Sequence, residues 1–326
     1  IYRQIEGFAT YGFPESHAAS FALLVYASAW LKCHHPAAFC AALLNSQPMG
    51  FYSPSQLIQD ARRAGVTVLA IDVLQSTWEA HLVLPPRAAD GGGGAPMLRL
   101  GLQQVAGLPE AAGRRIEAAR AVRQFRSVRD LLERAALGRD EAALLARADA
   151  LRELAGHRHQ ALWSAALAAV PALPLAPPDT ETPPALALLA PGEEVLADYA
   201  STGLTLREHP LSLLRAQLSG VCRAADLAGL TSGRRVRVAG LVTCRQRPAT
   251  ASAVTFVTLE DESGNSNIIV WRDVAERDRR VLLTARLMLV TGTLERQGPV
   301  THLIAARLDD RSELIGSLAV ASHDFH

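Results

Sequence analysis

Arg235-Val236-Arg237-Val238-Ala239-Gly240-Leu241-Val242-Thr243-Cys244-Arg245 alternates charge with β-branched residues and then turns apolar, with Gly240 at a bend position. That pattern predicts a strand. Outward from it, Val254 to Leu259 predicts a second strand, closed by Asp261-Glu262-Ser263-Gly264, and Asn267 to Trp271 a third. Asp273 predicts the cap of a short helix through about Leu283, followed by strands at Leu287 to Glu295 and Val300 to Leu308. Five short strands with a helix between the third and fourth predict an OB-fold, a small Greek-key barrel, over residues 233–312, with a tail at 313–326.

OB barrels take single strands on strands two and three and in the loops joining strands one–two and four–five. A basic groove tracks phosphates while aromatics stack on bases. Arg245 and Arg247 lead into the first loop, Phe256 and Trp271 lie on strands two and three, and Arg296 sits in the last loop. These five are the barrel's candidate DNA-binding residues. Phe256 and Trp271 each have a second reading as barrel core, and OB barrels also take sugars and proteins. Glu260-Asp261-Glu262 reads as a solvated loop.

Upstream, residues 97–169 predict short helices and tight turns. Leu102 to Ile116 reads as short helix, turn, second helix, and the turn Val105-Ala106-Gly107-Leu108-Pro109 resembles a helix-hairpin-helix. In that motif backbone amides at the second helix's N-terminus grip a DNA phosphate without reading sequence. Gly107, Arg114 and Arg115 are its candidate DNA-binding residues. Pro109 stands where a second glycine is expected and removes a donor, so a plain helical connector is the other reading. Ser127 and Asp140 predict helix caps, and Leu151 to Arg158 a second, degenerate hairpin turning at Gly156. Residues 170–232 predict a Pro-rich linker and connecting helices, with a helix from Glu193 to about Ser201 stopped by Gly203 and a structural His209.

Residues 1–96 open with Gly12-Phe13-Pro14-Glu15-Ser16-His17-Ala18-Ala19-Ser20-Phe21 and run on through Tyr26, Trp30-Leu31-Lys32-Cys33-His34-His35-Pro36 and Leu44-Asn45-Ser46-Gln47-Pro48-Met49-Gly50. Ser16 predicts an N-cap, and the helix from Ala18 to Leu31 is apolar nearly all round, which predicts burial. His17 would lie at the helix's positive end, where anions bind, or simply pack locally. This long run resembles the fingers region of bacterial C-family DNA polymerases, and its wording is closer to their error-prone branch than to the replicative alpha subunit.

The resemblance implies a multidomain α+β chain with a helical fingers remnant, a tandem helix-hairpin-helix region and a C-terminal OB-fold β-barrel. It implies the C-terminal portion of an error-prone DNA-directed DNA polymerase working in translesion synthesis and repair. Ser16 and His17 would then lie near the incoming dNTP, the hairpins would hold primer-template duplex, and the barrel would hold single-stranded template. Catalytic Mg²⁺ belongs to an Asp-x-Asp palm in this family, and the chain has no Asp-x-Asp. The resemblance therefore implies that Mg²⁺ serves the parent and that this chain is inactive alone. Accessory proteins of mutagenesis and the sliding clamp are the implied protein partners. The competing readings are a non-catalytic single-strand-binding or adaptor protein, and an RNA-directed OB protein such as the anticodon-binding part of a tRNA synthetase.

Composition sets the background. The 326 residues carry a net charge of +1, so no global basic field points to nucleic acid, and basic clusters are local: Arg114-Arg115 and Arg234-Arg235-x-Arg237. Four scattered cysteines make no disulfide framework and fit a reducing cytoplasm. Cys33-His34-His35 with Cys40 straddles a helix end and is a poor zinc pattern. No signal peptide and no membrane-spanning apolar run is read, so no membrane partner is expected. The start at Ile1 reads as the interior of a longer protein.

Overall fold

The computed structural model describes residues 15–49, 52–85, 94–168, 184, 186–248, 254–298, 300–316 and 323–325. Its helical part begins with α1 (Glu15–His34), α2 (Pro36–Asn45) and α3 (Pro54–Arg63). Pro36 does not merely end α1; it opens α2 as a first-turn residue, where its missing N–H costs nothing. Ser53 caps α3 in a capping box with Gln56, and Gly65, at φ +83°, supplies the left-handed stop.

A small sheet follows, of β1 (Val68–Leu69), β2 (His81–Val83) and β3 (Met97–Arg99) in the order β1-β3-β2. Next come α4 (Glu110–Val122), α5 (Val128–Arg134), α6 (Arg139–Arg147), α7 (Arg152–Ala155) and α8 (Arg158–Ala168). Ser127 caps α5 as its sequence predicts, whereas α6 starts from Gly138 rather than Asp140, because the Glu141 carboxylate accepts the Gly138 N–H.

One apolar cluster runs through all of this from Ala37 to Leu204, with Leu98, Leu102, Ile116, Leu131, Leu145 and Leu151 fully buried. Each such side chain contributes roughly 1.5–3 kcal/mol relative to exposure. Asn45 ties the first helices to the hairpin region: its amide exchanges two hydrogen bonds with Ala80 (2.8 and 2.9 Å) and accepts a third from Gln103.

The apolar α1 departs from its expected burial. Phe21, Leu23, Leu24, Val25 and Tyr26 are all exposed, Tyr26 by 71%. Among the described residues nothing covers the outer sides of α1. It is held near its C-terminus, where Lys32 pairs with Asp60 of α3 (2.7 Å) and the Trp30 ring meets those of His34 and His35. The Ser16 side chain lies outside the described residues.

Two connecting helices, α9 (Pro191–Thr202) and α10 (Pro210–Leu214), lead to the barrel: β4 (Arg235–Gln246), β5 (Thr255–Asp261), β6 (Gly264–Val270), β7 (Leu287–Gln297) and β8 (Val300–Asp310). Between β6 and β7 lie α11 (Arg272–Arg277) and α12 (Arg279–Thr284). The order is β5-β6-β8-β7-β4, closed by β4 on β5, and β9 (His323–Phe325) runs parallel to the end of β4. A step round the barrel through paired residues, from Gln246 to Phe256, Ile269, Ile304 and Thr293, returns to β4 at Arg235 rather than at Gln246. That stagger tilts the strands and closes a small filled barrel. Val238, Val257, Ile268, Val290 and Leu303 fill it. At Gly240 a Cβ would lie 2.7 Å from Leu259 Cβ and 2.9 Å from the Glu260 backbone, so the bend read in the sequence is a close strand crossing. Leu211 of α10 packs with Ala239, Leu241, Leu287 and Leu289 on the barrel's outside.

Two buried acids give the fold an alkaline limit. Burial pushes the Cys40 thiol from 9.0 to about 12, and it pushes the Tyr199 hydroxyl from 10.0 to about 12, against a hydrogen bond with Ser55. Both are raised in the folded state, so their contribution is complete below the unfolded values and is lost as pH climbs from about 9 to 12. Chemical-denaturation midpoints are expected to fall across that window, and Cys40→Ala with Tyr199→Phe to flatten the fall. An unchanged slope in the double variant would reject the assignment.

Candidate nucleic-acid interface

The first hairpin is built as its sequence suggests. Leu102–Gln104 forms a 3-10 turn, Gly107 takes φ +79°, and Pro109 precedes α4 without a side-chain cap. The first amides of α4 have no intrahelical acceptor, which leaves donors at the helix mouth. Its two arginines differ in how firmly they are held: Arg114 sits in exposed pairs that cost little to open, and Arg115 in a bond between helices. Arg114 pairs with Glu110 and Glu117 along α4, and Arg115 forks onto Glu141 (2.9 Å) while donating to Ala135 O. Arg115 therefore clamps α4 to α6. Around the turn, the Ala106 N–H is taken by Ser201 O and the Leu108 N–H by Val105 O.

The second hairpin turns at Gly156, φ +86°, into α8. Arg158 at the start of α8 is 3% exposed and forks onto Glu194 and Asp198 of α9, the latter at 2.5 Å. Arg207 joins the same cluster through Asp149, Glu194 and Asp198. With Gln104 donating to Thr202 O, α9 is strapped across both hairpins. Nothing in the local sequence marks Arg158 or α9 for this role, since the partners lie 36 and 40 residues apart.

On the barrel, Phe256 and Trp271 are both outside, 36% and 51% exposed, which settles their placement against the core reading. Phe256 pairs with Ile269, and Ile269 with Ile304, so an aromatic–aliphatic row crosses β5, β6 and β8 on the outer wall. Trp271 follows β6 as the residue that caps α11, two positions before the expected Asp273. Arg247 is exposed beside the first loop. Arg245 and Arg296 are not phosphate hands in this conformation. Arg245 donates to Leu282 O (2.6 Å) and Ala285 O, closing the C-terminal end of α12, where a cation is favoured. Arg296 donates to Ala228 O (2.5 Å) and Leu230 O, holding the turn before the barrel. The His17 ring packs against Phe21 at a tilt of 50°, with ring centroids 4.4 Å apart, on the exposed α1.

The acidic turn read as a solvated loop is buried instead. Glu260 and Asp261 are 4% and 3% exposed. Glu260 accepts from Gln59 of α3 (2.8 Å) and lies 3.4 Å from His209 Nε2. Asp261 and Glu262 share the Arg215 guanidinium, and Asp261 also accepts the Ala224 N–H. Carboxylates are tolerated here because each has donors waiting. The turn is the joint between barrel and helical part. His209 is structural, as expected: its Nδ1 accepts the Leu211 N–H to cap α10.

Among the described residues no three His, Cys, Asp or Glu side chains are placed to hold a metal ion. Cys33 is exposed, Cys40 is buried with its Sγ donating to Leu57 O, and the acids of the barrel turn are occupied by arginine and amides. These residues do not fit a Mg²⁺ pair. No described helix is long and apolar enough to cross a membrane.

Fold and site together define a helix-hairpin-helix unit carrying an OB barrel in an α+β chain, and a family model described as a helix-hairpin-helix motif matches residues 65–161. Over its whole length the chain is 56% identical to an error-prone DNA polymerase of Pseudomonas fluorescens and 54% identical to one of Alkalilimnicola ehrlichii, covering 32% of each. A third, from Azoarcus sp., is 56% identical over 99% of the chain and 31% of its own length. The chain spans about a third of the length of the curated relatives it matches, and over that third it is similar to error-prone DNA polymerases. Among solved structures, an asparaginyl-tRNA synthetase of Pyrococcus horikoshii aligns with 26% of this chain and 21% of its own at 19% identity, with a TM-score of 0.23, too low to carry an argument.

Proposed function

We propose that this chain is the DNA-handling portion of an error-prone DNA-directed DNA polymerase serving translesion synthesis and repair. What carries the reading is identity of more than half the residues across the entire chain to polymerases of that name. On this reading the hairpins hold duplex through backbone amides, and the OB barrel holds single-stranded template against Phe256, Ile269, Ile304 and Trp271. Ser16 and His17 lie toward the incoming dNTP, and the uncovered apolar sides of α1 pack into the rest of the longer protein. Paired Mg²⁺ would supply the phosphoryl-transfer chemistry from a palm outside this chain, so the chain alone is not expected to polymerise. The sliding clamp and mutagenesis accessory proteins are the partners, in the bacterial cytoplasm.

The test is anisotropy of labelled single-stranded and primer-template DNA with the chain across a salt series. Phe256→Ala and Trp271→Ala are each expected to weaken single-strand binding by about 1–3 kcal/mol, the worth of one stacked base. If the native chain binds no DNA even at low salt, the barrel is a scaffold or a protein-docking surface.

A further inference from the structure

Arg234-Arg235-x-Arg237 is a basic run that neither hairpin nor the aromatic row of the barrel uses. Its place in the fold is specific. Val236 and Val238 point into the barrel core, so Arg235 and Arg237 stand on the outer wall of β4, and both are exposed. Two positions along a strand set them about 6–7 Å apart. Arg235 pairs across to Thr293, and Arg237 to Thr291 of β7, which in turn pairs with Arg307 of β8. One stretch of wall thus carries three guanidiniums around two threonine hydroxyls, with β6 lying between its β8 edge and the Phe256 strand β5.

The arginines of this protein that hold the fold together are recognisable by their partners. Arg115, Arg158, Arg215, Arg245 and Arg296 each donate to a carboxylate or carbonyl elsewhere in the chain. Among the described residues, no hydrogen bond or ion pair engages the guanidinium of Arg235 or Arg237. Guarding an open strand edge does not explain them either. One edge of β4 is taken by β7, and at Arg237 the other is covered by Cys222, whose N–H donates to Arg237 O at 2.8 Å. Two acids border the patch: Glu295 on β7, and Asp309, which accepts from Arg307 at 2.9 Å. That last pair is exposed, with the Arg307 side chain 68% accessible, and an exposed pair gives up its arginine at little cost.

We propose that the β4–β7–β8 wall of the barrel is a second nucleic-acid contact surface, on which Arg235 and Arg237, with Arg307 beside them, grip successive phosphates of a single DNA strand. It rests on the reading of the chain as DNA-handling, and it adds a surface that reads charge and not bases. Guanidinium forks match phosphate oxygens in pairs, and the threonine hydroxyls supply further donors. The aromatic row and this wall then do different work: one stacks bases, the other neutralises backbone.

The two contributions separate in a salt titration. With a fluorescein-labelled oligo-dT and the full chain, Arg235→Gln/Arg237→Gln is expected to reduce the slope of log K against log salt by about 1.4, roughly 0.7 for each phosphate that is no longer neutralised. Phe256→Ala is expected to weaken binding at an unchanged slope. Both substitutions sit at exposed positions, and matching denaturation midpoints confirm that the fold is intact. A double variant that binds with the native slope, while Phe256→Ala still weakens binding, overturns the wall and leaves the DNA-handling reading standing. A native chain with no affinity for oligo-dT overturns both. Displacement of oligo-dT by oligo-glutamate from native protein and double variant alike would show that acidic peptide competes elsewhere; displacement lost in the double variant, with the slope unchanged, assigns the wall to a protein partner and overturns the proposal.

Discussion

Arg158→Ala is expected to destabilise the helical part by about 3–5 kcal/mol, the cost of removing one partner from a buried ion pair. The guanidinium is 3% exposed, and the Glu194 and Asp198 carboxylates that receive it are each 13% exposed. With it gone, two acids and Asp149 are left with Arg207 as the main cation. Loss of an opposite charge leaves each acid poorly solvated, so water must enter or α9 must lift from the hairpins. Urea unfolding measures the cost, and hydrogen exchange tells where it falls: amides of residues 191–202 should exchange faster while those of the barrel keep their protection. Glu194→Ala in the Arg158→Ala background should cost much less than it does alone, because the uncompensated charge is already present. A destabilisation below about 1 kcal/mol would show that the cluster is solvated and that α9 is held by its apolar contacts.

The barrel was the legible part of the chain, because its information is local. Alternation in β4, a Ser-Gly turn between β5 and β6 and a helix before β7 each sit within a dozen residues, and their sum admits few topologies. The hairpins were legible for the same reason, through Gly107 and Gly156 at positive φ. What the residues did not disclose was which arginine does what. Arg114, Arg115, Arg245 and Arg296 fall beside turns that grip DNA in such folds, yet a guanidinium reaches far enough to find a carbonyl or carboxylate elsewhere in the fold, as Arg115, Arg245 and Arg296 did, while Arg114 pairs with acids of its own helix. Arg235 and Arg237 were visible as a basic run but could be placed on the outer wall only once Val236 and Val238 were seen inside. The burial of Glu260 and Asp261 was equally hidden, since three consecutive acids look solvated until Arg215 and Gln59 are brought to them. The exposure of α1 is illegible for the opposite reason: its apolarity is real, but no surface among the described residues covers it.

Asp261→Ala carries the second large effect, again of about 3–5 kcal/mol, and it tests whether the acidic turn is a joint. Asp261 is 3% exposed and is the acceptor for five donors: Arg215, the Ala224 N–H, the Ser263 N–H and hydroxyl, and the Gly264 N–H, at 2.7–3.0 Å. Truncation strands several of these donors, each worth about 1–3 kcal/mol when buried without a partner. It also leaves Arg215 to Glu262 alone. Asp261→Asn keeps the acceptor oxygen for the turn amides but not the charge for Arg215, so it should recover part of the loss and not all. Because the same turn meets α3 through Gln59 and α10 through His209, loosening it should also free the barrel from the helical part. Small-angle scattering should then report a larger radius of gyration for Asp261→Ala than for the native chain. A variant destabilised as expected but native in dimensions would mean that Leu211 and its apolar neighbours hold the two parts together without the polar joint.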